Sequence, residues 1–176
     1  MYTTMAKDFA LNSHGKQLHG CLDISEHLEN VSKLVEKHFG KTNRKSIKSL
    51  DEAVSAAWMH DVLEDTNVTL KQLDKLFPEN IVSLVESLTD SRGKNRRDRH
   101  LRTYWSIRDC PVATLIKLSD RHHNQERSLE YGERWVAMYN QEFERFSFAF
   151  WRPNEYVDLW TELFSQQKRM QKFMEF

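Results

Sequence analysis

Apolar residues at helical spacing run through most of the chain, and this pattern is what most limits its fold. The segment ISEHLENVSKLVEKHF places Ile24, Leu28, Val31 and Val35 on one face of a helix. Similar stripes occur in NIVSLVESLTD and in NEYVDLWTELFSQQKRMQKFMEF. Alternating β-branched runs are scarce, and only five glycines and three prolines occur in 176 residues. The sequence therefore predicts an all-α fold.

Capping signals and short polar stretches indicate where these helices begin and end. Ser49 is followed three residues later by Glu52, which is the capping-box pattern. Pro111 stands near the start of CPVATLIKLSDRHHN, where its missing N–H does no harm. The best loop candidates are GKTNRKS (40–46), DSRGKN (90–95) and RPNE (152–155). No linker divides the chain, so we expect a single domain over residues 1–176, with a motif-bearing core at 6–130 and C-terminal helices at 131–176.

Charge and targeting signals narrow the classes of function. The 26 basic and 26 acidic residues cancel, so no global field would recruit nucleic acid or a membrane. The stretch MYTTMAKDFALNSHGK has no basic region followed by a long apolar run, and no segment has the length of a bilayer span. Cys21 and Cys110 match no paired spacing. We therefore expect a cytoplasmic protein with two reduced thiols.

The segment HDVLEDT, residues 60–66, places a histidine and three acids together where the helical pattern is about to end. On one continuous helix His60 would stack near Glu64, and Asp61 near Asp65, because residues four apart are neighbours. Buried acids are costly unless they are paired or bound to a metal. One imidazole and one carboxylate do not complete a metal site, so other segments must supply further ligands.

Two further segments carry candidate ligands. His27 lies on an amphipathic helix, and Asp120 follows an apolar run in LIKLSDRHHN with Asn124 one turn on. Taken singly, His27 could be an ordinary helix-face histidine and Asp120 a helix cap. Together with His60 and Asp61 they form a mixed nitrogen and oxygen set, suited to manganese, iron or another first-row divalent ion. Such an ion binds water and phosphate oxygen at its open positions.

In this order the residues resemble the HD phosphohydrolase superfamily, whose metal ligands follow the pattern H…HD…D. Within it, HDVLEDT and KLSDRHHN are similar to the hydrolase domain of RelA/SpoT proteins and to the single-domain small alarmone hydrolases. Thr89 and Asp90, with Arg99 among the basic residues that follow, match the middle element of that family. The resemblance covers residues 6–130 and implies an HD-domain helical fold.

The resemblance also implies a role for each motif residue. It assigns a metal ion, manganese in this family, to His27, His60, Asp61 and Asp120. It assigns Glu64 and Asp65 to positioning or activating the attacking water, and Asn124 to the nucleotide. The implied reaction removes the 3′-pyrophosphate from guanosine tetra- or pentaphosphate and leaves GDP or GTP.

The chain departs from the family pattern among the residues that would bind the nucleotide substrate. HGKQLHGCLDISEHLEN has Leu28 where the family has proline, and the arginine expected on the guanine is missing. Lys16 and His19 stand in that region, and His19 could stack on a base. Lys94 and Arg99 belong to the densest basic stretch, which is either a phosphate clamp or a solvated helix face. We therefore expect looser base selectivity than in the family.

Three functions remain open. The leading one is a metal-dependent hydrolase of alarmone nucleotides. The second keeps the metal but acts on a deoxynucleotide, a nucleoside monophosphate or NADPH. The third is a nucleotide-binding partner domain without turnover, against which the paired acids Glu64 and Asp65 argue. The sequence also leaves open a pairing with an alarmone synthetase and a homo-oligomer, for which the aromatic stretch FERFSFAFWRP could supply a contact.

Overall fold

The computed structural model of the chain describes residues 1–41, 49–90 and 93–175. Within these ranges the ordered elements are helices apart from one short strand pair, which confirms the all-α prediction. In chain order they are α1 (Thr3–His14), β1 (Leu18–His19), β2 (Leu22–Asp23), α2 (Ile24–His38), α3 (Leu50–Trp58), α4 (Val62–Asp65), α5 (Leu70–Leu76), α6 (Glu79–Leu88), α7 (Arg96–Ile107), α8 (Pro111–Tyr131), α9 (Glu133–Phe150) and α10 (Val157–Phe173). None of the described helices is long and apolar enough to cross a membrane.

The helix-start signals predicted from the sequence lie at the starts of α3 and α8. Ser49 accepts the N–H of Glu52, whose carboxylate accepts the N–H of Ser49, so the capping box at α3 is complete. Pro111 is the first residue of α8. The predicted loop at 152–155 joins α9 to α10. Most of the predicted loop at 40–46 and part of that at 90–95 lie outside the described residues.

The apolar stripes pack into one large hydrophobic cluster. It includes Ala6 of α1, Leu28 of α2, Leu118 of α8, Phe146 of α9 and Trp160 of α10, all of them buried. Helix α8 lies at its centre and contacts α2, α9 and α10. This continuity between the motif-bearing helices and the C-terminal ones supports the single-domain prediction, which an unfolding experiment can test.

The chain between α3 and α4 departs from the sequence-based expectation. The segment HDVLEDT does not continue α3, because α3 ends at Trp58 and α4 begins at Val62. The N–H groups of Met59 and Val62 each donate to the carbonyl three residues earlier, which tightens the backbone into a 3₁₀-like turn. The expectation of one continuous helix is therefore wrong at His60, whereas Asp65 still donates its N–H to the carbonyl of Asp61 four residues earlier. The turn brings the side chains of His60 and Asp61 together.

A short hairpin places His19 against the helices. Strands β1 and β2 pair antiparallel, with Leu18 opposite Asp23. Gly20, in the turn between them, has φ +65°, and a Cβ there would lie 2.5 Å from the Tyr131 ring. The Tyr131 hydroxyl donates to the His19 carbonyl at 2.9 Å. Glycine is therefore required where the hairpin rests on the end of α8.

Candidate active site

The donor atoms of the four predicted metal ligands converge on one buried point between α2, the α3–α4 turn and α8. His27 Nε2 lies 3.2 Å from His60 Nε2, 3.5 Å from Asp61 Oδ2 and 3.6 Å from Asp120 Oδ1. His60 Nε2 lies 3.1 Å from Asp61 Oδ2 and 3.9 Å from Asp120 Oδ1. Donor atoms of His27, His60 and Asp61 all lie within 4.8 Å of one another, so these residues form a group that could hold one metal ion.

A hydrogen bond on the far side of each imidazole orients its Nε2 toward this point. His60 Nδ1 donates to the carbonyl of Ala57 at 2.8 Å. His27 Nδ1 lies 2.9 Å from His123 Nδ1, and we assign the proton to His27. Burial lowers the pKa of His123 to about 3, so its ring is neutral and can accept this bond. In the neutral form of each ring, Nε2 then carries the lone pair that can bind a metal, as is usual for ligating histidines.

The electrostatics of the centre fit a divalent cation. Burial lowers the pKa of His27. Burial also opposes a proton on His60, but Asp61 and Asp120 outweigh it and raise the pKa of His60 to about 9. Burial opposes ionisation of Asp61 too, yet His60 holds the pKa of that carboxyl well below its usual range. The carboxylates thus draw positive charge onto a ligand nitrogen, and a bound metal ion would supply that charge instead.

The two acids that follow the turn, Glu64 and Asp65, line a cavity that is also lined by Asp61 and Asp120. Burial raises the pKa of Glu64 to about 7, against the opposing charge of Lys117. The Glu64 carboxylate accepts the backbone N–H of Asp90. Burial also raises the pKa of Asp65, whose carboxylate accepts from Gln17 Nε2 at 3.2 Å. Glu64 can therefore take up or release a proton near neutral pH, which suits a general acid or base.

The cavity beside these acids has a volume of about 420 Å³, within the range of small-molecule sites. Its basic side chains are His19, Arg96, Arg99, His100, Lys117 and Arg121. Lys117 Nζ lies 3.5 Å from Asp120 Oδ2, and burial opposes its charge, but the neighbouring carboxylates raise its pKa. It is therefore a fixed positive charge beside the proposed ligands. A wider groove of about 990 Å³, between α9 and α10, contains none of the predicted site residues, all of which are described.

Two predicted substrate residues, His19 and Asn124, lie at this cavity and are hydrogen-bonded to each other. His19 Nε2 lies 2.7 Å from Asn124 Oδ1. Asn124 Nδ2 donates to Asp120 Oδ1 at 2.6 Å, so it also orients a proposed metal ligand. The His19 ring is stacked on the His27 ring, with centroids 4.1 Å apart. One face of His19 is thus already covered, which weakens its candidacy as a base-stacking residue.

The other predicted substrate residues divide between the cavity and the surface. Arg99 lines the cavity, with its Nε 4.0 Å from Asp90 Oδ2. Lys16 and Lys94 are exposed and do not line it. Arg99 is therefore placed to contact a ligand in the cavity, whereas a role for the two lysines needs a ligand that extends beyond it.

Sequence reasoning missed other residues of this cavity: His100, Lys117, Trp135 and Tyr139. One signal was available, because Lys117 stands one helical turn before Asp120. The spacing of four between Trp135 and Tyr139 was also visible, but spacing alone does not reveal which face of a helix meets the cavity.

Sequence comparisons find relatives among alarmone enzymes. The chain is 33% identical over 82 residues to a probable guanosine-3′,5′-bis(diphosphate) 3′-pyrophosphohydrolase of Synechocystis. The aligned region is 42% of this chain and 11% of the relative. It is 29% identical over 94 residues, 52% of each chain, to the guanosine-3′,5′-bis(diphosphate) 3′-pyrophosphohydrolase MESH1 of Danio rerio. It is 31% identical over 126 residues to the GTP pyrophosphokinase rsh of Brucella ovis, covering 66% of this chain and 15% of that one. The matches thus span about half or less of the relatives' lengths.

The fold has a counterpart among solved structures, although no family model matches the chain. A metazoan ortholog of SpoT, described as hydrolysing ppGpp, aligns with a TM-score of 0.77 over 95% of this chain and 94% of its own. At 20% identity this likeness shows the fold alone, which is the HD-domain helical fold. Sequence relatives, fold and the ordered H…HD…D residues agree: the chain has the HD-domain helical fold and is similar to the RelA/SpoT-type hydrolases.

Proposed function

We propose that the chain is a metal-dependent hydrolase that removes the 3′-pyrophosphate from guanosine tetra- and pentaphosphate. The observation that carries this proposal is the convergence of His27, His60, Asp61 and Asp120 beside a cavity that also contains acids and fixed positive charges. The relatives from Synechocystis and Danio rerio are named for this reaction. The proposal extends that reaction to this chain.

Manganese is the ion that we propose for the centre. Two imidazole nitrogens and two carboxylate oxygens form a donor set that suits manganese or another first-row divalent ion. The chemistry that such an ion supplies is positive charge beside a phosphate and a lowered pKa of water. His27, His60, Asp61 and Asp120 would hold it, with Asn124 and His123 orienting two of these ligands.

The chain's own residues account for the proton transfers and charge stabilisation that the reaction needs. The water oxygen forms a bond to the phosphorus next to the 3′ oxygen, the P–O3′ bond breaks, and the proton that the water loses ends on the 3′ oxygen. Glu64 can accept the proton that the water loses, because its pKa lies near 7. Asp65 offers a second carboxylate to orient the water. Lys117 and Arg99 line the cavity, and their positive charge would stabilise the negative charge that the phosphate oxygens gain.

A second class of nucleotide substrate remains a candidate, because the residues that would bind the nucleobase differ from those of the family. Lys16 does not line the cavity, and one face of the His19 ring is covered by His27. Neither residue is therefore in a position to replace the guanine-binding arginine of the family. A hydrolase of NADPH or of a deoxynucleotide would need the same metal and acids. A binding domain without turnover is the weaker alternative, because it has no use for the raised pKa of Glu64.

One experiment separates these functions. The purified protein, loaded with manganese, is incubated separately with guanosine tetraphosphate, its adenosine counterpart, GTP, dATP and NADPH, and the products are identified. We expect GDP and pyrophosphate from the guanosine alarmone, and slower cleavage of the adenosine one. An Asp61→Asn variant, purified identically, controls for contaminating phosphatases. Turnover of GTP, dATP or NADPH without pyrophosphate release from either alarmone would overturn the alarmone substrate and leave the hydrolase chemistry.

The compartment and the partners remain proposals as well. Cys21 and Cys110 are free thiols, as the reducing cytoplasm would keep them, and the proposed nucleotide substrate belongs to the same compartment. We propose the nucleotide as the main partner, with no nucleic acid. Size-exclusion chromatography with light scattering would determine whether the chain forms a homo-oligomer.

A further inference from the structure

We propose that Trp135 forms the stacking platform for the planar base of the nucleotide, a role for which the sequence had suggested His19. This inference rests on the proposed nucleotide substrate and deepens it. Trp135 lines the cavity that contains Glu64, Asp65 and the proposed ligands Asp61 and Asp120. It is 37% exposed, and among the large apolar side chains of the described ranges that are similarly exposed, it alone lines this cavity.

The position of Trp135 is set by an aromatic row across the junction of α8 and α9. Tyr131, at the end of α8, contacts Trp135 edge to face, with ring centroids 5.9 Å apart. Tyr139, one turn further along α9, lies nearly parallel to it at 6.4 Å. Tyr131 is itself held by its hydrogen bond to the His19 carbonyl, and Tyr139 is buried. The indole is therefore supported on two sides while part of its surface stays open.

The lining of the cavity includes both charged side chains and the exposed indole of Trp135. The carboxylates, with Lys117 and Arg99, suit a divalent ion and phosphate groups. Trp135 offers a flat apolar surface of the kind on which bases stack. A nucleotide has a charged part and a planar part, and only its base could stack on the indole. Stacking of this kind recognises the planar ring and discriminates weakly between bases, in keeping with the expected loose base selectivity.

The test compares two variants of Trp135 with matched variants of Trp105, which is also exposed but does not line the cavity. Binding of GDP and of inorganic pyrophosphate to the manganese-loaded protein is measured by calorimetry. We expect Trp135→Ala to weaken GDP binding about tenfold to a hundredfold, the scale of one lost base–aromatic stack. Trp135→Phe should keep GDP affinity close to wild type, because a ring remains. Pyrophosphate, which has no base, should bind all variants equally, and Trp105→Ala should bind GDP like wild type.

A fluorescence readout gives an independent check on the same variants. GDP should quench part of the tryptophan emission of wild type and of Trp105→Phe, and this quenching should disappear in Trp135→Phe. Wild-type GDP affinity in Trp135→Ala, or an equal loss of GDP and pyrophosphate binding, would overturn the platform. The proposed alarmone activity can fail separately: Trp135-dependent GDP binding without alarmone cleavage would keep the platform and reject only the substrate.

Discussion

At the residue scale, the candidate metal centre depends on groups behind the ligands as well as on the ligands themselves. The ring of His27 can present Nε2 to a metal because its Nδ1 is hydrogen-bonded to His123, and His60 is oriented in the same way by the Ala57 carbonyl. Asn124 holds Asp120 through a 2.6 Å hydrogen bond. A substitution behind a ligand should therefore change metal affinity without removing a donor atom.

His123→Ala tests this directly. We expect manganese affinity to fall about tenfold to a hundredfold, because His27 loses the acceptor that sets its tautomer and orientation. Competition with a metal chelator measures the affinity without any substrate. The control is His122→Ala, since the side chain of His122 faces Glu162 at 2.8 Å and lies outside the centre. Equal manganese affinity in the two variants would contradict the assigned role of His123.

Glu64→Gln separates the chemical step from binding. The amide keeps the size of the side chain but cannot exchange a proton near pH 7, so the rate should fall roughly a hundredfold or more. Manganese and GDP affinities should stay near wild type. The matched control is Glu86→Gln, an exposed glutamate on α6. A rate near that of wild type in Glu64→Gln would assign proton transfer to Asp65 or to another group.

At the same scale, the sequence predicted the site residues that belong to a motif, but not those that reach the cavity only through helix packing. The four proposed ligands were identified because residue type and order are themselves the signal. Trp135 has no motif, and its place in the cavity depends on how α9 packs on α8. Lys16 was proposed because it stands in the region where the family has its arginine-rich stretch, but it is exposed and lies outside the lining of the cavity.

At the element scale, three separate parts of the chain supply the proposed ligands: α2, the α3–α4 turn and α8. Helical periodicity predicted α2 and α8 well, because their buried stripes are long. It could not predict the turn at Met59, because every residue of that segment suits a helix. The helix is interrupted there by backbone hydrogen bonds to carbonyls three residues earlier. The turn matters because it brings His60 Nε2 within 3.1 Å of Asp61 Oδ2.

Metal binding should therefore stabilise the contacts between these elements. Manganese at about a hundred times its dissociation constant should stabilise the wild type by about 2.7 kcal/mol, because it binds only the folded state. His27→Ala, Asp61→Ala and Asp120→Ala should each lose bound manganese, turnover and this metal-dependent rise in melting temperature. Asp158→Ala, which removes an exposed carboxylate paired with Lys41, is the matched control. Full metal occupancy in all three ligand variants would rule out the assignment.

At the scale of the whole molecule, the hydrophobic cluster makes the C-terminal helices part of the structure that holds the site. Phe146 of α9 lies 5.6 Å from Tyr104 of α7 and 6.0 Å from Trp160 of α10, measured between ring centroids. Between α8 and α9, the buried Arg121 donates to Glu142 at 3.1 Å. Unfolding of α9 should therefore expose the packing surface of α8, the helix that carries Asp120.

Phe146→Ala tests whether the chain is one cooperative domain. Removing this buried ring should lower the free energy of unfolding by about 3–5 kcal/mol, because it leaves a cavity in the shared core. In urea, tryptophan fluorescence and far-UV circular dichroism should report a single transition that shifts as a whole. Phe148→Ala, the same change at a ring that is 76% exposed, should alter stability little. Two transitions, of which only one moves in Phe146→Ala, would show that residues 131–176 fold separately from the motif-bearing core.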